Sequence, residues 1–166
     1  MRILGVDPGT AIVGYSIVDY EKGKYEIKDY GCIYTHKDED MPHRLEKIYN
    51  ELETLIKLWK PNDMAIEELF FFKNQKTVIK VGQARGVIMV CGQKNNLDIF
   101  SYTPLQVKMG VAGYGRADKA QIQEMVKLIL KMNEIPNPDE PADALALWIT
   151  HINSKQGLGS FARGDN

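Results

Sequence analysis

The segment Ile3–Thr10 constrains the fold more than any other part of this sequence. It reads Ile-Leu-Gly-Val-Asp-Pro-Gly-Thr, so an apolar run ends abruptly in a carboxylate and then in a Pro-Gly pair. The apolar run predicts a buried strand, and Pro8-Gly9 predicts a tight turn directly after it. Asp7 therefore lies where the chain leaves the core, either as a fixed oxygen ligand for a divalent cation or as a turn-capping residue.

A second carboxylate occupies a similar position later in the chain. Glu67 ends the short run Asp63–Ile66 and is followed directly by Glu68. Because neighbouring residues on a strand point to opposite faces, only one of the two glutamates shares a face with other core-edge carboxylates. Glu67 is the favoured one, and Glu68 is expected to be solvated or paired with a lysine.

The third acidic position lies at the start of the last predicted helix. Helix capping accounts for Asp139 and Glu140, with Asn137 as the N-cap and Pro138 at the first helical position. Capping does not account for Asp143, which stands in a run of alanines and leucines where a charge needs a partner. Glu140 and Asp143 are three residues apart, so both project from one helix face.

These acidic positions together predict a metal centre. Carboxylates that converge from distant parts of a chain repel one another unless cations neutralise them. Two divalent ions about 3.5–4 Å apart in such a cluster catalyse in-line phosphodiester hydrolysis. The predicted ligands are Asp7, Glu67, Glu140 and Asp143, and Asp139 remains an alternative to Glu140.

The distribution of charge favours a polyanionic substrate, although the formal net charge is only −1. Residues 1–72 carry nine Lys and Arg against fourteen Asp and Glu, whereas residues 73–131 carry ten against three. An acidic centre followed by a basic segment fits an enzyme that grips nucleic acid and performs metal chemistry on it. Ordinary solvated helix faces would give a similar count.

Aromatic and basic side chains follow Glu67 directly. Phe70, Phe71 and Phe72 run into Lys73 and Lys76. Successive residues cannot all face one core, so at least one phenylalanine is expected to be exposed. An exposed aromatic beside lysines suits stacking on unpaired bases, and packing in the core is the equally weighted alternative.

A glycine-rich break, Gly110–Gly115, carries basic residues on both sides. Lys108 precedes it, and Arg116 and Lys119 follow it. Lysines beside such a break can reach phosphates or a developing oxyanion. His36, His43 and His151 lack metal-ligand spacing and are expected to be structural or surface residues. These histidines are therefore left out of the predicted site.

Periodicity along the chain predicts a layered α/β fold with a mixed sheet of about five strands. Residues 1–153 are expected to form one domain and residues 154–166 a flexible C-terminal tail. The predicted strands are Arg2–Val6, Val13–Tyr20, Tyr25–Tyr34, a strand ending at Glu67, and Asp98–Tyr102. The predicted helices are an amphipathic helix ending before Pro61, Thr77–Lys94, a short helix from Pro104, Lys119–Met132, and Pro138–Asn153.

The bulk properties narrow the class of protein further. No apolar run approaches the ~20 residues that a membrane span needs, and the first strand begins at Arg2 without a signal peptide. Cys32 and Cys91 are far apart and are expected to be reduced, structural thiols. We therefore expect a cytoplasmic protein.

Taken in order, these segments resemble the bacterial RuvC-type Holliday-junction resolvases, which have the RNase H-like fold. The resemblance runs from Arg2 to about Asn153. Its markers are Gly5–Thr10, Ala65–Glu67, Phe72–Asn74, Gly82–Val87, Gln106–Lys108 and Ala142–Ala146.

The resemblance implies a homodimer that nicks two opposed strands of a four-way DNA junction with Mg²⁺ or Mn²⁺. It implies that Asp7, Glu67, Glu140 and Asp143 are the catalytic acids and that Lys108 and Lys119 lie near the scissile phosphate. It places Phe70 at the junction centre and implies the branch-migration proteins RuvA and RuvB as partners. The position of Glu140 usually carries Asp or His in that family.

A symmetric pair of nicks requires two active sites, and one predicted helix has a composition that fits the contact between two copies. The segment Gly82–Val90 combines small residues with an apolar run and has too few polar positions for a solvated outer face. Close helix approach at glycine and an adaptable methionine fit an interface. A helix buried in the core would have a similar sequence.

Three other functions fit parts of this pattern. A related enzyme of the same fold could cut RNA or RNA–DNA hybrid. A non-catalytic junction-binding protein could use the same acids only for capping and pairing. An actin-like ATPase shares an early Asp-x-Gly turn but needs two lobes, for which this chain is too short.

Overall fold

One mixed five-stranded sheet organises the molecule, with the strand order β3-β2-β1-β4-β5. The computed structural model describes residues 1–69 and 75–157. Within these ranges the strands are β1 Arg2–Asp7, β2 Ile12–Glu21, β3 Lys24–Tyr34, β4 Asp63–Glu67 and β5 Asp98–Tyr102. The helices are α1 Met41–Trp59, α2 Gln75–Lys94, α3 Pro104–Ala112, α4 Lys119–Ile129 and α5 Glu140–Lys155.

The sheet combines an antiparallel meander with a parallel half. Strands β1, β2 and β3 pair antiparallel, whereas β4 runs parallel to both β1 and β5. The β2–β3 turn has positive φ at Lys22 (49°) and Gly23 (82°), as two-residue hairpin turns require. The predicted α/β class, meander and five-stranded mixed sheet are therefore confirmed.

Helices cover both faces of the sheet and divide the core into two layers. Leu4, Val6 and Ile66 pack with α1 and α2, while Ile3 and Ala65 pack with α3, α4 and α5. Side chains alternate along a strand, so the residue after Val6 and the residue after Ile66 both return to the α5 face. This alternation directs Asp7 and Glu67 toward the same helix.

Several helix boundaries depart from the predictions. The predicted cap at Asn137 and Pro138 is wrong, because α5 begins at Glu140 with Asp139 at the N-cap position. Asp139 makes no capping hydrogen bond there, since its carboxylate pairs with Lys119 instead. Helix α4 ends at Ile129, three residues before the predicted end, and α5 continues through Lys155 into the predicted tail.

The surroundings of the three histidines agree with the expectation of structural or surface residues. His151 is buried, with Nε2 2.8 Å from Asp63 and Nδ1 2.6 Å from the Tyr102 hydroxyl, whereas His36 and His43 are exposed. Cys32 and Cys91 are free thiols. None of the helices in the described ranges combines the length and hydrophobicity needed to cross a bilayer.

Candidate active site

The carboxyl ends of β1 and β4 bring two of the predicted acids together. The parallel register pairs Val6 with Ile66, and Asp7 and Glu67 are the next residues of the two strands. Both side chains face α5 because each follows a residue that faces the opposite layer. Two carboxylates from positions sixty residues apart thus share one edge of the sheet.

Two strand glycines allow α5 to lie directly on this edge. A Cβ atom at Gly14 would stand 2.2 Å from the carbonyl oxygen of Glu140, and one at Gly5 would stand 2.2 Å from that of Ala144. The Ser16 hydroxyl donates a buried 2.9 Å hydrogen bond to the same Ala144 carbonyl. Since Gly14 lies opposite Asp7 in the sheet, the first turn of α5 is fixed beside Asp7.

An open cleft contains five of the six predicted catalytic residues. Its lining includes the carboxylates of Asp7, Glu67 and Asp143 and the amino groups of Lys108 and Lys119. The remaining lining residues are apolar and come from α3, α4 and α5: Pro104, Val107, Ile122, Ala146 and Leu147. Acidic and basic side chains in one cleft give a site that can hold both a cation and a phosphate.

Burial and mutual repulsion disfavour the ionised form of these carboxylates. Burial raises the pKa of Asp7 well above its usual value, and the charges of Asp143, Glu67 and Glu140 add to the increase. Burial, with a contribution from Asp143, raises the pKa of Glu67 to about 7. Burial also raises the pKa of Asp143 despite the neighbouring Lys119 ammonium. A bound cation would relieve each of these penalties.

Lys119 supplies positive charge to the cluster from the first turn of α4. Its Nζ lies 3.0 Å from Asp143 Oδ2 and 2.6 Å from Asp139 Oδ2. Burial acts to lower the pKa of Lys119, but the hydrogen bonds to Asp139 and Asp143 raise it above its ordinary value. Asp118 and Gln121 form a capping box that fixes this end of α4.

Asp139 and Glu140, the two alternatives for the third acidic position, have different surroundings. Asp139 is half-buried, pairs with Lys119 and accepts a 3.3 Å hydrogen bond from Gln123. Glu140 Oε2 is buried, and no donor among the described residues reaches it. An unpartnered carboxylate oxygen is expected where a cation serves as the partner, so this contrast favours Glu140.

The donor set fits a hard divalent cation. All candidate ligands are carboxylate oxygens, which magnesium and manganese prefer, and Glu140 offers an oxygen with no other described partner. In residues 1–69 and 75–157, however, no three Asp, Glu, His or Cys side chains are placed to hold an ion together. The Oδ2 atom of Asp143 is instead paired with the Lys119 ammonium at 3.0 Å.

The predicted basic and aromatic residues have different surroundings, and some of them lie outside the described residues. Lys108 is half-buried in the cleft wall, and Arg116 and Lys76 are exposed. Phe70, Phe71 and Lys73 lie outside the described residues. Sequence reasoning missed the packing roles of Gly5 and Gly14, although a glycine inside a strand often marks a close backbone approach.

The raised pKa of Glu67 gives a testable pH dependence. Its folded-state pKa of about 7 exceeds its ordinary value of 4.5, so the folded protein binds more protons than the unfolded chain between these values. Stability without divalent ions therefore falls as the pH rises through this window. We expect Glu67→Gln to raise the free energy of unfolding at pH 8, by up to ~3 kcal/mol, in chemical denaturation with EDTA.

Asp19→Asn is the matched control for this measurement. The hydrogen bond from Arg2 lowers the pKa of Asp19, so its ionised form stabilises the folded protein at neutral pH. Asp19→Asn should lower the free energy of unfolding at pH 8, and the difference from the unmodified protein should disappear in acid. Equal pH profiles for Glu67→Gln and the unmodified protein would contradict the electrostatic description of the cleft.

Solved structures with the same architecture are resolvases of the RNase H-like fold. The structure of RuvC from Thermus thermophilus superposes with a TM-score of 0.86 at 32% identity and covers 95% of this chain and 97% of that one. The same organism's RuvC in complex with a Holliday junction substrate gives a TM-score of 0.88 at 31% identity, covering 95% and 96%. The fold and the acidic cleft together define this chain as an RNase H-like nuclease.

The sequence comparisons narrow this class to one family. The family model described as "Crossover junction endodeoxyribonuclease RuvC" matches residues 3–151. A relative of that name from Fusobacterium nucleatum is 58% identical over all of this chain and 87% of its own length. Another from Finegoldia magna is 55% identical over 92% of this chain and 93% of its own length. The chain belongs to the RuvC family of crossover junction endodeoxyribonucleases.

Proposed function

We propose that this chain resolves four-way DNA junctions in recombination and repair, by paired symmetric nicks that depend on a divalent metal. The observation that carries the proposal is the cleft in which Asp7, Glu67 and Asp143 meet Lys108 and Lys119. Family membership supplies the substrate class, because a RuvC structure of 31% identity contains a Holliday junction substrate. Because the proposed substrate is DNA, we propose that the protein acts in the bacterial cytoplasm.

Asp7, Glu67, Glu140 and Asp143 are the proposed ligands for Mg²⁺, with Mn²⁺ as a substitute and two ions for each site. Ions held there would supply Lewis-acid chemistry to the scissile phosphate, to the attacking water and to the leaving oxygen. The fold of this chain holds the carboxylate ligands in fixed positions. Strands β1 and β4 fix Asp7 and Glu67, and the contact of α5 with Gly14 fixes Glu140.

The two lysines act on the phosphate side of the cleft. Lys108 projects from α3 into the cleft wall and suits a charge-assisted hydrogen bond to a nonbridging phosphate oxygen. Lys119 neutralises Asp143 in the protein described here and becomes available to a phosphate when cations take over that role. Both groups stabilise negative charge that grows during in-line displacement.

The wider DNA-contacting surface remains a set of predictions. Arg116 and Lys76 are exposed, and both are proposed to contact backbone phosphates. Phe70 and Phe71 are proposed to meet unpaired bases at the junction centre, and Lys73 to contact the adjoining strand. RuvA and RuvB are the proposed partners that deliver the junction.

Two nicks related by a two-fold axis require two copies of this site, so we assign a homodimer interface to the outer face of α2. Ile79 and Val90 are 63% and 54% exposed on this helix. Gln83 and Gly86 lie between them at helical spacing, and a Cβ at Gly86 would meet nothing within 4 Å. The resulting stripe combines two exposed apolar side chains with one glutamine and one glycine, and the open space at the glycine permits a close helix–helix contact.

Val90→Glu should therefore give a folded monomer. Sedimentation at micromolar concentration should change from dimer to monomer, because a charge in an apolar interface loses its hydration without gaining a partner. Val87 is half-buried and so less suitable for this test. Leu58→Glu on α1, at a residue that is 67% exposed, is the matched control and should remain dimeric. A monomeric unmodified protein with full activity would contradict this interface.

Cleavage of a synthetic four-way junction tests the proposed function. Strand-labelled junctions should receive two symmetric nicks in Mg²⁺ and none in EDTA, whereas linear duplex of the same sequence should stay intact. Preferred cutting of an RNA–DNA hybrid would instead favour the related ribonuclease function. Tight junction binding without nicking in Mg²⁺ or Mn²⁺ would favour a non-catalytic binding protein.

A further inference from the structure

Arg85 holds the backbone of Glu67 from the face of the sheet opposite the cleft. Its Nε donates a 2.9 Å hydrogen bond to the Glu67 carbonyl oxygen, and its Nη2 donates a 2.8 Å hydrogen bond to Ser101 Oγ. Arg85 is half-buried on α2, and its guanidinium bridges the last residue of β4 and the penultimate residue of β5. The proposed mechanism assigns no role to this residue.

These contacts fix the orientation of one particular peptide group. The carbonyl of Glu67 and the N–H of Glu68 belong to the same planar unit. The N–H donates a 2.8 Å hydrogen bond to the carbonyl of Tyr102, and the carbonyl accepts from Arg85. With both ends of the plane held, the backbone torsion that directs the Glu67 carboxylate is determined by Arg85 and β5 together.

A second contact of α2 supports the same point of the chain. A Cβ at Gly82, one helical turn before Arg85, would stand 3.3 Å from Leu69 Cδ1. Leu69 therefore packs on α2 two residues after Glu67. The end of β4 is thus attached to this helix by a hydrogen bond at Glu67 and by apolar contact at Leu69.

From this geometry we infer that Arg85 is a positioning residue, which sets the Glu67 carboxylate for the divalent cation. The inference deepens the proposed function and rests on its assignment of Glu67 as a ligand. Groups that orient metal ligands without touching the metal typically contribute 10–100-fold to metal affinity. Lysine at this position keeps a donor and a charge but cannot hold the carbonyl and the Ser101 hydroxyl in one planar fork.

The test compares Arg85→Met, Arg85→Lys and Arg2→Met with the unmodified protein. Arg2 is the matched control, because its guanidinium also donates a hydrogen bond to a backbone carbonyl, that of Trp59, at 2.5 Å. This contact lies at the end of β1 that is far from Asp7. Mn²⁺ binding to the DNA-free protein is measured by calorimetry. The Mg²⁺ midpoint of junction cleavage and metal-free junction binding are measured beside it.

Arg85→Met should weaken Mn²⁺ binding by about 10–100-fold and raise the Mg²⁺ midpoint correspondingly, while junction binding without metal is unchanged. The Mn²⁺ affinity and the Mg²⁺ midpoint of Arg85→Lys should lie between those of Arg85→Met and the unmodified protein. Arg2→Met should lower Tm and leave the Mn²⁺ affinity unchanged.

Unchanged Mn²⁺ affinity in a folded Arg85→Met protein would overturn the inference, and so would an equal loss in Arg2→Met. Should Arg85→Met fail to fold, an unchanged affinity in Arg85→Lys and in Ser101→Ala together would overturn it. An unmodified protein that binds Mn²⁺ without cutting junctions would contradict the proposed function while the inference stands. An unmodified protein that binds no Mn²⁺ would contradict both.

Discussion

Asp7→Asn is expected to abolish nicking of a four-way junction and to leave junction binding intact or tighter. The carboxylate holds metal in this account, and the loss of several kcal/mol of metal-derived stabilisation corresponds to a rate decrease of about a thousandfold or more. Removing a negative charge beside a phosphate also reduces repulsion of the DNA. Single-turnover cleavage and metal-free binding of the same labelled junction measure the two effects separately.

Asp19→Asn is the control for this experiment. Asp19 lies on β2 and pairs with Arg2, at the end of β1 that is far from Asp7. It should cut normally at temperatures where it is folded. Asp143→Asn should abolish nicking, as Asp7→Asn does. Glu140→Gln should lower the nicking rate more than Asp139→Asn. Normal cleavage by Asp7→Asn would show that the catalytic centre lies elsewhere, and inactivity of Asp139→Asn alone would move the third ligand by one residue.

Gly14→Ala should impair both folding and catalysis, although Gly14 has no side chain to contribute. The added Cβ would stand 2.2 Å from the Glu140 carbonyl oxygen, so α5 must move away from the sheet. Overpacking of this kind costs about 1–3 kcal/mol, and Tm falls by roughly 2–4 °C for each kcal/mol in a chain of this size. Displacing a catalytic group by about 1 Å lowers the rate on the order of a hundredfold.

Gly31→Ala provides the comparison for Gly14→Ala within the same sheet. A Cβ at Gly31 would meet only the side chain of Tyr15, with 2.9 Å to its hydroxyl, and no backbone atom is among its nearest neighbours. Thermal unfolding and junction cleavage should change less than in Gly14→Ala. Similar effects of the two substitutions would mean that α5 does not depend on close contact at Gly14.

The strands and most helix positions followed from the sequence because each has a strong local signal. The apolar run before Asp7 and the short run before Glu67 already indicate buried strands, and their parallel pairing brings Asp7 and Glu67 together. Local rules failed at the start of α5, where Asn137-Pro138 forms an acceptable cap in isolation. The pairing of Asp139 with Lys119 and the contact of Glu140 with Gly14 determine that boundary, and both are tertiary contacts.

The candidate site was likewise only partly predictable. Residue types and spacing identified Asp7, Glu67 and Asp143, because a carboxylate at the edge of an apolar segment is conspicuous. The role of Lys119 as their counter-charge depends on the packing of α4 beside α5, which no local pattern encodes. The same holds for Arg85, whose partners are a backbone carbonyl on β4 and a serine on β5.

The central claim is that Asp7, Glu67 and the first turn of α5 hold divalent cations for phosphodiester hydrolysis. Anomalous diffraction from crystals grown with Mn²⁺ and an uncleavable four-way junction tests it most directly. The account predicts manganese peaks in contact with carboxylate oxygens of Asp7, Glu67 and Asp143, with Lys119 released from Asp143. Peaks confined to other surfaces, with the Lys119–Asp143 ion pair retained against bound DNA, would contradict it.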